Sequence, residues 1–231
     1  MRSAIAIGLL FGSAAGYCAA IAYYGTALCS YPQYECIKVG KGQSWQTLFP
    51  DPDQRDLVQR LNRTYNAIWY GREIVVPKNL NATTLNDVSP FPLIVDDIGE
   101  KQIIVDQDKL AWAAYDEHGY IVKWGPISSG RDRCVDSNNS CHTLTGIFRI
   151  FSKENENCRS NTLRGARMPY CMYFHKGFAL HGSNDIPGYR ASHGCIRMFT
   201  QDAEWLNHVF VDLAKEANGY LGTKVTVLPL L

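Results

Sequence analysis

The chain has 231 residues, 46% of them hydrophobic, and a net charge of +1 at pH 7. That length holds one large domain, or a medium domain with a small one, around a sizeable core. Near-neutral charge, with no basic block longer than a dipeptide, excludes a nucleic-acid grip and a polybasic membrane patch.

From Ser3 to Gln33 no residue is charged, and only Arg2 precedes the run AIAIGLLFGSAAGYCAAIAYYGTAL. This is the grammar of export, and residues 1–28 are expected to be a signal peptide or a retained single membrane anchor. Small residues at Cys18-Ala19-Ala20 and Ala20-Ile21-Ala22 suit a signal peptidase, whereas Tyr17 before Cys18 does not suit lipidation. Loss of Cys18 with such a leader leaves seven cysteines, an odd number. Proximity pairs Cys29 with Cys36, Cys134 with Cys141 and Cys158 with Cys171, one of about fifteen pairings open to six cysteines. Cys195 is then left over, and the paired ones call for an oxidising compartment.

Residues 34–78 read as strand, helix, helix, strand. YECIKV alternates, Ser44 precedes Trp45, Leu48 and Phe49 at helical spacing, Leu57, Val58 and Leu61 share one helical face, and GREIVVPK closes as a strand ended by Pro77. With VGKGQSWQTL and LNRTYN leading to YGREIVVPK, this unit resembles a LysM module. The resemblance implies binding to peptidoglycan glycan strands that contain N-acetylglucosamine. Residues 79–99, polar and proline-bearing, read as a linker.

Beyond it KQIIVDQ, LAWAAYDEHGYIVKWGPISSG and TGIFRIFSK alternate apolar and polar residues between turn signals, and GFALHGS supplies a further strand ending near His181. A helix is expected from a Thr200 cap, with Asp202 and Glu204 at its positive end, through Leu206, Val209, Phe210, Leu213 and Ala217 to Gly219. TKVTVLPLL reads as the last strand. The domain is mainly β with one helix in its C-terminal region.

The run HGSNDIPGYRASHGCIRM, 181–198, carries the chemistry. Metal ligands of the cysteine and histidine type come in closely spaced pairs with a second pair elsewhere, and no second pair accompanies His181, His193 and Cys195. A lone cysteine beside glycine, with a histidine at a strand end, instead fits nucleophilic catalysis: a base must generate the thiolate. His181 is the candidate base. Gly194 lets the backbone present the N–H groups of His193, Gly194 and Cys195 to a developing oxyanion. No Asp or Asn is fixed as a third member, so a backbone carbonyl, Gly182 being nearest, is expected to orient the imidazole.

ALHGSNDIPGYRASHGCIRM, with ISSG, TLTGIFRI and RMPYCMYF upstream, resembles the L,D-transpeptidase (YkuD-type) catalytic domain over residues 100–231. The resemblance implies a mixed β-sandwich or barrel in which Cys195 is the nucleophile, His181 the general base and Gly182 the orienting carbonyl, while Ser192, His193 and Gly194 shape the oxyanion loop. Arg197 is expected either to contact a substrate carboxylate or to fix the loop, and Arg190 is a solvated charge at the rim that is a further candidate for substrate contact. The implied reaction attacks the tetrapeptide stem of peptidoglycan after its diamino acid, expels the terminal D-alanine and passes the thioester to an acceptor amine, giving a three-to-three cross-link. It uses no metal and no organic cofactor, and it places the protein in a bacterial periplasm or cell envelope. Water or an envelope protein as acceptor would make a carboxypeptidase, an endopeptidase or an attaching transferase, and an inactive wall-binding protein is the reading of another class. A papain-like protease is disfavoured because there the cysteine precedes the histidine. The connector from His181 to Ser192 is short for the family, and RDRCVDSNNSC and CRSNTLRGARMPYC look like disulfide-tied loops bordering the cleft.

Overall fold

The computed structural model describes residues 23–96, 99–134 and 140–231. Most of the expected export segment lies outside the described residues, and among those described no helix is long and apolar enough to cross a membrane. Residues 23–28 belong to the folded body: a short helix, α1 (Tyr24–Ala27), is pinned where the Tyr24 N–H donates to Gly188 O at 2.9 Å.

The N-terminal unit follows the expected order: β1 (Tyr34–Lys38), α2 (Trp45–Leu48), α3 (Pro52–Leu61) and β2 (Glu73–Pro77). Local chemistry starts each helix. Ser44 Oγ accepts from the Thr47 N–H while Thr47 Oγ1 accepts from the Ser44 N–H, a reciprocal capping box. Asp51 accepts from the N–H groups of Asp53 and Gln54, and Pro52 sits in the first turn, where its missing N–H costs nothing. The strands pair antiparallel from Tyr34 opposite Pro77 to Lys38 opposite Glu73. Leu57, Val58 and Leu61 are buried beneath them, each contributing about 1.5–3 kcal/mol of hydrophobic stabilisation.

The rest is one curled nine-stranded sheet built from β3 (Gln102–Asp106), β4 (Ala111–Tyr115), β5 (Ile121–Ser128), β6 (Gly146–Arg149), β7 (Ser152–Lys153), β8 (Met172–His175), β9 (Phe178–Ser183), β10 (Ile196–Phe199) and β11 (Lys224–Val227), with α4 (Thr200–Trp205) after β10. The spatial order is β6-β11-β3-β4-β5-β10-β9-β8-β7. Pairing is antiparallel except for β10 beside β9 and β11 beside β3. The fold is thus mainly β, a mixed half-barrel with a helix near its C-terminus and a small α/β region at its N-terminus.

Strand β4 shows how the two parts join. All five of its residues are buried, and successive side chains point to opposite faces. Trp112 and Ala114 enter the main core with Ile127, Leu180, Met198 and Leu206, while Ala111, Ala113 and Tyr115 enter a second core with Trp45, Leu57, Val58, Ile74 and Val75 of the N-terminal unit. Residues 79–99 differ from a loose connector, because Val88 and Phe91 are buried in that second core and the Tyr115 hydroxyl donates to Pro92 O at 2.7 Å.

The helix expected through residue 217 is shorter. It ends at Trp205, passes into a π turn over Leu206–Phe210, and a separate short 3-10 turn spans Glu216–Asn218. Thr200 is the first helical residue, not the cap. The wider π turn rotates Val209 into solvent, at 67% exposure, while Leu206 and Phe210 stay in the core. Gly219, at φ 64°, ends the 3-10 turn.

Candidate active site

Three disulfides join Cys29 to Cys36, Cys134 to Cys141 and Cys158 to Cys171, and Cys195 is the free cysteine among the described residues. Cys195 sits immediately before β10. In the parallel register Arg197 lies beside His181, so their side chains leave the sheet on a common face, and Cys195, two residues earlier, follows that alternation. Cys195, His181, Ser192, His193 and Arg197 line one cavity of about 120 Å³ with Ser183, Asp185 and the overhanging Leu163, Ala166, Arg167 and Met168.

His181 is buried, and its Nδ1 lies 2.8 Å from Gly182 O. A carbonyl only accepts, so Nδ1 carries the proton and the neutral ring keeps its lone pair on Nε2. Burial drives the imidazole pKa down to about 4; the bond to Gly182 opposes this and the positive charge of Arg197 adds to it. Burial pushes the Cys195 thiol up, against the lowering effects of a bond from the Ala179 backbone and of Arg197. The pair therefore rests near neutral pH as thiol and neutral imidazole. Gly182 has no room for a side chain: a Cβ there would lie 3.0 Å from Thr200 Cα, and its N–H donates to Pro169 O at 2.8 Å.

The turn before Cys195 is tied internally. The Ser192 hydroxyl donates to Cys195 O at 2.5 Å and accepts from the Gly194 N–H at 3.0 Å. Thr143 Oγ1 donates to Gly194 O at 2.8 Å while accepting from the Gly130 N–H at 2.9 Å. The Gly194 N–H, expected to face an oxyanion, is bonded to the Ser192 hydroxyl in this structure. Gly194 itself adopts φ 119°, and a Cβ would meet Phe178 Cε1 at 2.8 Å.

The two arginines singled out in the sequence part company. Arg197 lines the cavity, with its Nη1 2.7 Å from Asp185 Oδ2. Arg190 is drawn outward to Asp132 at 2.5 Å, which also meets His142 Nε2 at 3.1 Å beside the Cys134–Cys141 loop. Two residues absent from the sequence reading matter here, Asp185 and Arg167. Both line the Cys195 cavity and also a larger neighbouring one of about 470 Å³ bounded by Glu156, Tyr170, Asn184 and Thr200. Asp185 lay in plain view twelve residues before Arg197, but nothing in the pattern connected the two.

Over the thiol lies a flap whose base is clasped by Cys158–Cys171. Its arms are linked where the Met168 N–H donates to Cys158 O and the Ser160 N–H to Ala166 O, each at 2.9 Å. Met168 and the disulfide form a small apolar cluster against which Cys195 and Tyr173 pack. Beyond Met168 a further cavity of about 240 Å³ opens among Phe151, Glu154, Thr162, Tyr173 and Lys176. Met168 thus borders both this cavity and the one that Cys195 lines.

The chain is thus a mixed β half-barrel that gathers a free thiol and a buried, carbonyl-anchored imidazole at one cavity. Residues 100–227 match the family model YkuD, the L,D-transpeptidase catalytic domain, and the chain belongs to that family. The solved L,D-transpeptidase of Xylanimonas cellulosilytica is 26% identical, with a TM-score of 0.54 over 75% of this chain and 78% of that one. An L,D-transpeptidase from Stackebrandtia nassauensis is 20% identical at TM-score 0.46, and one from Mycobacterium tuberculosis 19% identical at 0.44. The chain spans 61% and 57% of those two structures. No curated protein matches the chain in sequence.

Proposed function

We propose that the protein is an exported peptidoglycan L,D-transpeptidase in which Cys195 attacks the carbonyl after the diamino acid of a tetrapeptide stem. The observation that carries this reading is the shared cavity of Cys195 and His181, with the imidazole proton fixed on Nδ1 by Gly182 O. The free Nε2 takes the thiol proton as sulfur bonds to carbon, and the departing D-alanine amine takes it back as the peptide bond breaks. An acceptor amine then attacks the thioester, losing its proton as Cys195 leaves. With the Gly194 N–H committed to Ser192, the Cys195 N–H is the donor in this turn that meets the oxyanion. Arg197, held by Asp185 at the cavity wall, attracts the stem carboxylate, and His193 shapes the wall beside the thiol.

The N-terminal unit serves as a LysM-like glycan holder. A groove of about 360 Å³ runs between the start of α2, at Ser44, Trp45 and Gln46, and the loop bearing Tyr65, Ala67 and Ile68, where the exposed Tyr65 ring beside polar side chains suits a sugar ring. Holding the strand there raises the local concentration of its stems at Cys195. Three disulfides accord with a compartment outside the cytoplasm, for which the uncharged N-terminal run would serve as a signal peptide or a retained anchor. The domain division is a unit over 34–78, a packed connector over 79–99 and the catalytic domain from 100 to 231.

The test is intact mass after incubation with disaccharide-tetrapeptide stems, comparing wild type with Cys195→Ala. A transient adduct that needs Cys195, together with a cross-linked dimer, is the expected result. An adduct with shortened stems alone assigns hydrolysis instead. Untouched stems and no adduct overturn the acyltransferase.

A further inference from the structure

Asn66 lies in the loop between α3 and β2, outside the segment matched by the catalytic family, yet it reaches the catalytic strand connection. Its backbone is anchored inward, because the buried Trp45 donates from Nε1 to Asn66 O at 2.8 Å. Its side chain spends both ends on the loop between β9 and β10. Oδ1 accepts from the Ile186 N–H at 2.7 Å, and Nδ2 donates to Asp185 Oδ1 at 2.9 Å. The second oxygen of Asp185 holds Arg197 at 2.7 Å. Neighbouring contacts repeat the attachment: the Tyr65 N–H donates to Ile186 O at 3.2 Å, and Thr64 bridges to Pro187.

We infer that Asn66 is a positioning residue of the catalytic site, fixing Asp185 and through it the Arg197 guanidinium beside Cys195 and His181, so that the N-terminal unit completes the active centre as well as holding substrate. An aspartate free to rotate has several ways to meet an arginine. With one oxygen held by the amide N–H the carboxylate is fixed in orientation, which turns its other oxygen towards Arg197 and confines the guanidinium. This inference rests on the acyl-transfer reading for its consequence in catalysis, but its geometry does not.

The deciding variant is Asn66→Asp. It keeps the shape and the acceptor for Ile186, but puts a carboxylate oxygen where the donor to Asp185 was. The swap Asn66→Asp with Asp185→Asn restores a donor–acceptor pair at the same net charge as wild type, which cancels any long-range effect of the added charge. Two readouts are taken on the full folded chain: single-turnover acylation by the tetrapeptide stem, and the pH profile of Cys195 alkylation by iodoacetamide. Cys195 is faced by His181 from β9, Arg197 from β10, Tyr173 from β8, His193 from its own turn and Arg167 from the flap, and among these the variant unfastens Arg197 alone.

Asn66→Asp is expected to slow acylation roughly ten-fold, the scale of a lost hydrogen bond to a charged group, and to move the alkylation midpoint to higher pH. The swap leaves Arg197 an amide oxygen in place of a carboxylate oxygen, so it is expected to recover part of both, and in an Arg197→Lys background Asn66→Asp should add little. Wild-type behaviour of Asn66→Asp overturns the inference, as does a loss that the swap fails to repair or that persists in full in the Arg197→Lys background. If wild type forms no acyl-enzyme while the alkylation shift and its repair are seen, the relay stands and the acyl-transfer reading is what fails.

Discussion

The guanidinium of Arg60, on α3, grips the fully buried carboxylate of Asp202, in the first turn of α4, at 2.8 and 2.9 Å across 142 residues of sequence. Arg60 also donates to Trp124 O at 2.9 Å and meets Asp56 at 2.7 Å, and Lys123 approaches Asp202 at 3.1 Å. Burial works against the Arg60 charge, but Asp202 and Asp56 together offset it and raise the pKa. The N-terminal unit is therefore fastened to the helix that follows β10.

Removing one partner strands the other charge in a dry place. Arg60→Met is expected to cost about 3–5 kcal/mol, whereas Arg60→Met with Asp202→Leu should cost clearly less, because the fully buried carboxylate goes with its partner and the charges left, Asp56 and Lys123, reach solvent. Urea unfolding of the two variants checks this. Equal losses in both would mean that packing, not charge, dominates the joint.

The flap clasp gives a second expectation. Cys158 and Cys171 enclose a loop with a sequence separation of 13, and opening a loop of roughly 15 residues is worth about 3 kcal/mol in chain entropy. Replacing both by serine should loosen residues 159–167 and expose Arg159, Arg164 and Arg167 to trypsin. It should also slow acylation, since Met168 and the disulfide form the apolar cluster against Cys195. Limited digestion followed by mass analysis reads the first effect directly, and unchanged cleavage kinetics would show that the hydrogen-bonded arms hold the flap without the disulfide.

Gly194 supplies a third. At φ 119° any side chain is strained, and the new Cβ would press on Phe178. Gly194→Ala is expected to cost about 1–3 kcal/mol and to displace Cys195, lowering acylation by roughly a hundred-fold, consistent with the sensitivity of catalysis to misplacements near 1 Å. Single-turnover acylation alongside a melting curve separates the two effects.

What was legible in the sequence was short-range. Apolar segments between turn signals located β3, β4, β5 and β9, Ser44 marked a helix start, and cysteines seven or thirteen apart found one another. The nearness of His181 to residues 195–197 was legible because the parallel register of β9 and β10 brings the two ends of one contiguous motif side by side. Contacts such as Asn66 to Asp185 or Arg60 to Asp202 leave no periodic trace, since a polar side chain reads the same whether it meets water or a partner over a hundred residues away. The π turn at Leu206–Phe210 was invisible for a related reason: hydrophobic spacing assumes a constant pitch, and Val209 is the residue that the change of pitch ejects.

The buried imidazole predicts how stability responds to acid. His181 has a folded pKa of about 4 against an ordinary 6.5, so between these values the unfolded chain binds a proton that the folded chain refuses. Stability is complete above pH 6.5 and is lost as pH falls towards 4, by on the order of 3 kcal/mol from this group. Glu100, Asp132 and Asp212, whose pKa values are held low by Arg149, Arg190 and Lys101 respectively, add losses of the same sign at still lower pH. The His181 share is isolated by subtraction: His181→Gln cannot titrate, so the difference in unfolding free energy between wild type and variant should shrink or turn in the variant's favour as pH drops from 6.5 to 4, and stay constant from 7 to 8. A difference that is flat across the whole range would mean that the folded protein accepts the proton, placing His181 in contact with solvent or a carboxylate rather than in the dry wall beside Cys195.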